Sequence, residues 1–91
     1  MTKDDIVKEI SKTTGIEKVV VQTTVNSFME TIKQSLGNGE DVFLRGFGSF
    51  IIKHRAAKTA RNITKNTTII VPAQNIPVFK PSDSFVVKWL L

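Results

Sequence analysis

The chain contains no cysteine and only one histidine, and these absences exclude several classes of protein. Without cysteine there is no disulfide framework and no thiolate zinc site, and one histidine cannot form a metal site within a single chain. No apolar run approaches the ~20 residues that a helix needs to cross a bilayer. The first residues, Met1 to Asp5, are not followed by the apolar stretch of a secretory signal. We therefore expect a soluble, intracellular protein with no membrane partner and no cofactor.

Groups that could perform catalysis are also scarce. His54 has no recognisable nucleophile paired with it, and no glycine-rich loop precedes a helix, as a nucleotide-binding fingerprint requires. Gly46 and Gly48 enclose Phe47 between segments with a β pattern, which predicts a turn instead. We expect no catalytic residue and no small-molecule substrate, and we interpret His54 as a polar side chain of an arm or a sheet edge.

Negative charge is absent from the middle of the chain. Residues 1–41 carry five lysines or arginines and seven acids, whereas residues 42–82 carry seven lysines or arginines and no acid. A segregated stretch of one sign, in a chain of net charge +5, is typical of a nucleic-acid-binding surface. Charge alone is equally compatible with a solvated basic face that has no ligand.

The helical pattern is confined to the first part of the chain. Thr2 and Asp5 have the spacing of a capping box, and the first amphipathic helix should end near Thr14 and Gly15. Residues 37–39, Gly-Asn-Gly, should end a longer second helix. Its apolar positions follow helical spacing: Val21, Val25, Phe28, Met29, Ile32 and Leu36. The two helices predict a hairpin with one apolar, core-forming face.

The remaining residues predict strands joined by a long basic arm. Apolar segments at 42–44, 49–52 and 67–71 indicate three antiparallel strands. The arm spans about residues 53–74, and its two sides of about eight residues each would extend on the order of 25 Å. A short C-terminal helix is expected over residues 83–91, capped by Ser82. The fold class is therefore α+β, in a single domain of residues 1–91 that is small enough to need a partner chain.

Four short motifs in the second half of the chain resemble the HU and integration host factor family. They are RGFGSF at 45–50, RAA at 55–57, RN at 61–62 and FKPS at 79–82. The resemblance implies an intertwined dimer, of two identical chains or of two related subunits, whose paired arms hold the minor groove of double-stranded DNA. It also implies a cytoplasmic, nucleoid-associated protein that bends or compacts DNA.

The residues that we expect to contact DNA are cationic or lie at the tip of the arm. They are Lys3, Arg45, Lys53, Arg55, Lys58, Arg61, Asn62, Ile63, Lys65 and Lys80. Lysine and arginine would neutralise phosphates, and the Arg61-Asn62 pair would read the minor groove. Ile63 occupies the position at which the family usually has a wedging proline, and isoleucine can also act as a wedge. Because side chains alternate along a strand, we expect Lys58 on the face opposite to Lys53 and Arg55, unless a bulge near Ala56-Ala57 changes the alternation.

Phosphate-contacting side chains outnumber plausible base readers, which favours binding with little sequence selectivity. A site-selective bender of the integration host factor type is the alternative within DNA binding, because selectivity can arise from DNA deformability. A third possibility is a basic module that binds RNA or another polyanion.

Overall fold

The computed structural model describes residues 1–62 and 67–87, and for Arg61 and Asn62 it describes the backbone. Two compact units, residues 1–35 and 36–91, are distinguished by their internal contacts. The elements are α1 (Lys3–Thr14), α2 (Lys18–Gly37), β1 (Val42–Leu44), β2 (Gly48–Arg55), β3 (Lys58–Asn62), β4 (Thr67–Val71) and β5 (Gln74–Pro81).

The first helix begins and ends where the sequence predicts. Thr2 Oγ1 accepts a hydrogen bond from the Asp5 amide at 3.3 Å, and Asp5 Oδ2 accepts one from the Thr2 amide at 2.9 Å. This capping box satisfies two backbone donors at the start of α1. Gly15 follows with φ 77°, and its N–H donates to the Ser11 carbonyl at 3.0 Å. The left-handed conformation explains a glycine at this position.

The second helix spans 20 residues and ends at Gly37, as its Gly-Asn-Gly stop predicts. Val7 of α1 and Val21 of α2 are almost fully buried, at 1% and 4% exposure. Among the described residues, no other apolar side chain is buried to this degree. The isolated chain therefore has a very small core.

A three-stranded antiparallel sheet is present, with strand order β1-β2-β5. The prediction that its third strand is residues 67–71 is wrong: the third strand is Gln74–Pro81, and residues 67–71 pair with β3 in a separate two-stranded ribbon. Val42 lies opposite Phe50, and Phe50 lies opposite Phe79, so these three side chains share one face. Ring centroids of Phe50 and Phe79 are 5.1 Å apart. The ring of Phe47 lies 5.2 Å from that of Phe79, and Phe85 lies 5.3 Å from Phe47. These four rings form the aromatic cluster of the second unit.

The arm is present as a two-stranded ribbon, β3 with β4, that continues strands β2 and β5 after a short break. Arg55 pairs with Gln74 before the break, and Lys58 pairs with Val71 after it. Two residues remain unpaired on each side: Ala56 and Ala57 on one strand, and Pro72 and Ala73 on the other. Because the numbers are equal, the ribbon keeps the register of the sheet.

The prediction of a C-terminal helix beginning after Ser82 is wrong for residues 83–87. The Phe85 N–H donates to the Ser82 carbonyl at 2.9 Å, which closes a turn, and residues 85–87 have no regular secondary structure. A single turn gains too few hydrogen bonds to offset the cost of nucleating a helix, and the β-branched Val86 and Val87 lower helix propensity further. Residues 88–91 lie outside the described part of the chain.

Candidate nucleic-acid interface

Three predicted cations lie on one face of the sheet, two of them along β2 and one on β5. Lys53 and Arg55 alternate along β2, so their side chains leave the same face. Lys80 pairs with Ser49, which has the same parity in β2 and therefore faces the same way. All three lysine and arginine side chains are exposed. We call the side of the sheet that carries Lys53, Arg55 and Lys80 the cationic face; it is opposite to the aromatic cluster.

None of the residues paired with these cations is a carboxylate, and the Asp41 carboxylate beside β2 accepts a hydrogen bond from the Ile52 N–H at 3.1 Å. Lys53 is paired with Ile76, Arg55 with Gln74, and Lys80 with Ser49. The positive charge of the cationic face is therefore not neutralised by its strand partners, as a surface for an anionic ligand requires.

The break in the arm places Arg55 and Lys58 around one concave surface. Ala56, Val71, Pro72 and Gln74 also line it. The bulge predicted near Ala56-Ala57 is not present, because each strand has two unpaired residues at the break. Pro72 contributes to the break because it has no N–H to donate to a continuing ladder.

Arg45 lies in the loop that joins β1 to β2. The Phe47 N–H donates to the Leu44 carbonyl at 2.9 Å, and Gly46 has φ 81°, a conformation that favours glycine. The Ser82 N–H donates to the Phe47 carbonyl at 3.0 Å and fixes the loop against the end of β5. Arg45 is exposed there and lines a shallow hollow that also includes Ser49, the strand partner of Lys80.

His54 has the structural role that the sequence predicts. Its Nδ1 lies 2.7 Å from Oδ1 of Asn75, the residue directly across the ladder. This hydrogen bond holds two polar side chains at the base of the arm. Among the described residues, no group of three or more potential metal-binding side chains was found.

The remaining predicted contacts are only partly placed. Lys3 opens α1 in the first unit, so its position relative to the cationic face stays a prediction. The backbone of Arg61 and Asn62 belongs to β3 and pairs with Thr68 and Thr67. Ile63 and Lys65 lie outside the described residues.

Comparison with known proteins identifies the family of this chain. Residues 1–88 match the family model described as bacterial DNA-binding protein. The chain belongs to this family. It is 43% identical over 82 residues to integration host factor subunit beta of Marinobacter nauticus, covering 89% of this chain and 84% of the relative. It is 33% identical to DNA-binding protein HU of Thermotoga maritima, covering 97% of this chain and 98% of the relative.

A solved structure supports the same assignment. An Anabaena HU–DNA cocrystal structure matches with a TM-score of 0.87 at 29% identity, over 93% of this chain and 92% of the solved one. The resemblance stated from the sequence motifs is thus confirmed. This family of bacterial DNA-binding proteins is non-enzymatic, so the prediction that the chain is not an enzyme is confirmed. In the described residues, no helix is long and apolar enough to cross a membrane.

One exposed side chain of this family member escaped the sequence analysis. Phe43 lies opposite Ser49, and therefore on the cationic face, with 73% of its surface exposed. The short apolar run at 42–44 was interpreted only as a strand, because three residues give too short an alternation to show which face is buried. Once the hairpin register is known, Phe43 is seen to lie opposite Ser49, which faces the same way as Lys53. This register is the signal that assigns Phe43 to the cationic face.

Proposed function

We propose that this DNA-binding protein acts as a dimer, holds the minor groove of double-stranded DNA between paired basic arms, and bends or compacts DNA with little sequence selectivity. The observation that carries the proposal is the cationic face, whose exposed Lys53, Arg55 and Lys80 have no carboxylate across the strands. Such cations displace counterions from the DNA backbone and bind independently of sequence. Membership of the family supports a location of this activity in the nucleoid of the bacterial cytoplasm.

The dimer is supported by the apolar surface that one chain leaves exposed. Phe47, Phe79 and Phe85 of the aromatic cluster and Phe28 and Met29 of α2 are each at least 38% exposed. A chain of 91 residues with so small a core gains stability by covering such a surface with a second chain. A partner of the same sequence satisfies this requirement without any further component.

The arm supplies the bending. The ribbon β3–β4 continues the sheet in register, and the concave surface between Arg55 and Lys58 marks its base. We assign phosphate contacts to Lys58, Lys65, Lys3 and Arg45, and minor-groove contacts to Arg61 and Asn62. Apolar side chains inserted between base steps kink the duplex, and Ile63 is the residue that we assign to this role.

The function is tested by energy transfer between dyes at the two ends of a short, mixed-sequence duplex. Transfer should rise as protein is added, and the rise should weaken with salt. If half of the seven cations in residues 42–82 of each chain contact phosphate, the slope of log affinity against log salt is about −6 for a dimer. Salt-dependent binding without increased transfer would contradict bending of that duplex.

The wedge is tested by Ile63→Ala. We expect weaker bending at equal occupancy, because alanine is too short to fill the space between two unstacked base pairs. Ile63→Leu is the matched control and should retain most of the bend. Equal transfer for all three proteins at saturation would show that residue 63 is not the wedge.

A site-selective bender remains the second candidate, favoured by the 43% identity to integration host factor subunit beta. Competition distinguishes the two. A tolerant binder is displaced equally by unrelated duplexes, whereas a selective one resists most of them. Displacement by RNA in preference to nicked duplex would instead support the interaction-module hypothesis.

A further inference from the structure

The turn between α2 and β1 contains the dipeptide Asn38-Gly39. Both residues are exposed and lie outside the helices and strands. Gly39 has φ 83°, in the left-handed region, and a Cβ added to it would meet no atom within 4 Å. The backbone nitrogen of Gly39 therefore has no side chain of its own to shield it, and the space beside its Cα is open.

The other four asparagines of the chain have surroundings that hinder attack on their side-chain amides. Asn26 lies inside α2, where successive hydrogen bonds hold the backbone in one geometry. Asn75 lies in β5, and its Oδ1 is 2.7 Å from Nδ1 of His54. Three asparagines precede a β-branched residue, which crowds the next backbone nitrogen: Asn62, Asn66 and Asn75. In this sequence, only Asn38 precedes a glycine.

One hydrogen bond opposes reaction at this turn. The Gly39 N–H donates to the Leu36 carbonyl at 3.1 Å, and this bond must open before the nitrogen can lose its proton. A single turn bond at the exposed end of a helix opens readily, because few contacts are lost with it. Among the described residues, none hydrogen-bonds to the Asn38 side chain, so its amide carbon can turn towards the Gly39 nitrogen.

We propose that Asn38 is a site of spontaneous deamidation, at which the chain converts itself to aspartyl and isoaspartyl forms. The Gly39 nitrogen loses its proton to solvent and attacks Asn38 Cγ, so that a bond forms between them and the bond from Cγ to Nδ2 breaks. Nδ2 takes up a proton and leaves as ammonia. Water then opens the five-membered imide at either of its carbonyl carbons. One water is consumed and one ammonia released, and nothing is oxidised or reduced.

The isoaspartyl form changes the backbone between α2 and β1. Its chain runs through Cγ of residue 38, which adds one carbon to the backbone. Asp41 lies just beyond the turn and is held to β2, since its Oδ1 accepts a hydrogen bond from the Ile52 N–H at 3.1 Å. The added carbon therefore displaces the turn itself and breaks the bond between Gly39 and Leu36, which leaves a helix-end carbonyl without its partner. The isoaspartyl form should unfold at a lower urea concentration than the aspartyl form.

The test follows the full-length protein during incubation at mildly acidic and mildly alkaline pH. Trypsin cleaves after Lys33 and Arg45, and the peptide 34–45 contains Asn38 as its only asparagine. This peptide should gain one mass unit, faster at alkaline pH because the attacking nitrogen must lose its proton. The tryptic peptide 19–33, which contains Asn26, is the internal control and should keep its mass. The protease Asp-N cleaves before aspartate but not before isoaspartate, so it separates the two products.

Variants assign the mass change to the dipeptide. Asn38→Gln keeps the amide and the charge, but its longer side chain would have to close a six-membered ring, and we expect the conversion to be lost. Gly39→Ala should also slow the conversion, although the positive φ makes this variant strained. Asn38→Asp carries the product charge on a normal backbone. It is the reference for the lower urea midpoint expected of the purified isoaspartyl form.

Three results would overturn the proposal. One is an unchanged peptide 34–45 in the native protein after the urea-unfolded protein has been half converted, which would show that the turn protects Asn38. Another is equal conversion of the peptide that contains Asn26. The third is conversion of Asn38→Gln at the wild-type rate, which would assign the mass change to Gln34. No DNA enters these measurements, so their outcome is independent of the proposed function.

Discussion

Gly48 shows how closely single residues determine the sheet. It is buried, and a Cβ added to it would lie 2.6 Å from the Phe79 ring and 2.7 Å from the Lys80 carbonyl oxygen. Either the ring or the strand would have to move, because atoms do not approach so closely. The requirement for glycine here comes from the neighbouring strand, since Gly48 does not have a positive φ.

Gly48→Ala should therefore destabilise the fold by about 1–3 kcal/mol through overpacking. The measurement is the free energy of unfolding from urea titration. Gly37→Ala is the matched control, because a Cβ at Gly37 meets no atom within 4 Å. Equal stability of Gly48→Ala and wild type would show that the cluster relaxes around the methyl group.

Asp5 makes a pH-dependent contribution to α1. The hydrogen bonds from the backbone and side chain of Thr2 lower the pKa of Asp5 below its ordinary value of 3.8. Because the folded pKa is lowered, the stabilisation is present above pH 3.8 and is lost as the pH falls through the folded value.

Asp5→Asn should be less stable than wild type at pH 7, and the gap between them should close as the pH is lowered below about 4. Thermal unfolding at a series of pH values measures this difference. Asp4→Asn, which has the same change of charge beside the cap, is the control. A gap that persists undiminished at pH 2 would contradict the capping role of the ionised carboxylate.

At the scale of elements, periodicity and caps predicted α1, α2, β1 and β2, but they missed β5 as the third strand of the sheet. The ends of α1 and α2 follow from the capping box and from the glycine stops at Gly15 and residues 37–39, which are local features. The strand pairing and the break at Pro72 depend on residues almost twenty positions apart, and the C-terminal turn depends on contacts with the loop at Phe47. Such non-local terms are not visible in a short sequence window.

The two strands of the arm base place Arg55 and Lys58 around one hollow, which predicts that both contact phosphate. Arg55→Ala and Lys58→Ala should each reduce the steepness of the salt dependence by about one per substituted phosphate contact. Lys33→Ala is the matched control: Lys33 lies on α2 and pairs with Glu30 at 3.7 Å. A salt slope unchanged in all three variants would remove these residues from the interface.

For the whole molecule, the sequence predicted the class, α+β, and the family, while the division of surfaces required the structure. The charge asymmetry indicated where cations lie along the chain. Only the register showed that Lys53, Arg55, Lys80 and Phe43 share a face, because an error of one residue in pairing moves every side chain to the opposite side.

Substitutions on the two faces of the sheet should affect dimer formation differently. Phe79→Ala should weaken the proposed dimer, because it removes a ring that contacts three other phenylalanines. Phe43→Ala, on the other face of the same sheet, should leave the dimer intact. Sedimentation over a range of protein concentrations measures both. A lower mass for Phe43→Ala would place the subunit contact on the cationic face.

The equal break in the arm has a consequence for exchange between family members. Two unpaired residues on each strand separate the ribbon from the sheet without shifting the pairing. A donor ribbon with the same count on both sides could therefore replace residues 58–71 as a cassette, because its strands would enter in register and present their alternate side chains in the original order. The helices and the three-stranded sheet would keep the proposed dimer contacts, and the donor ribbon would bring its own DNA preference. Dimer formation and DNA preference could then be exchanged separately.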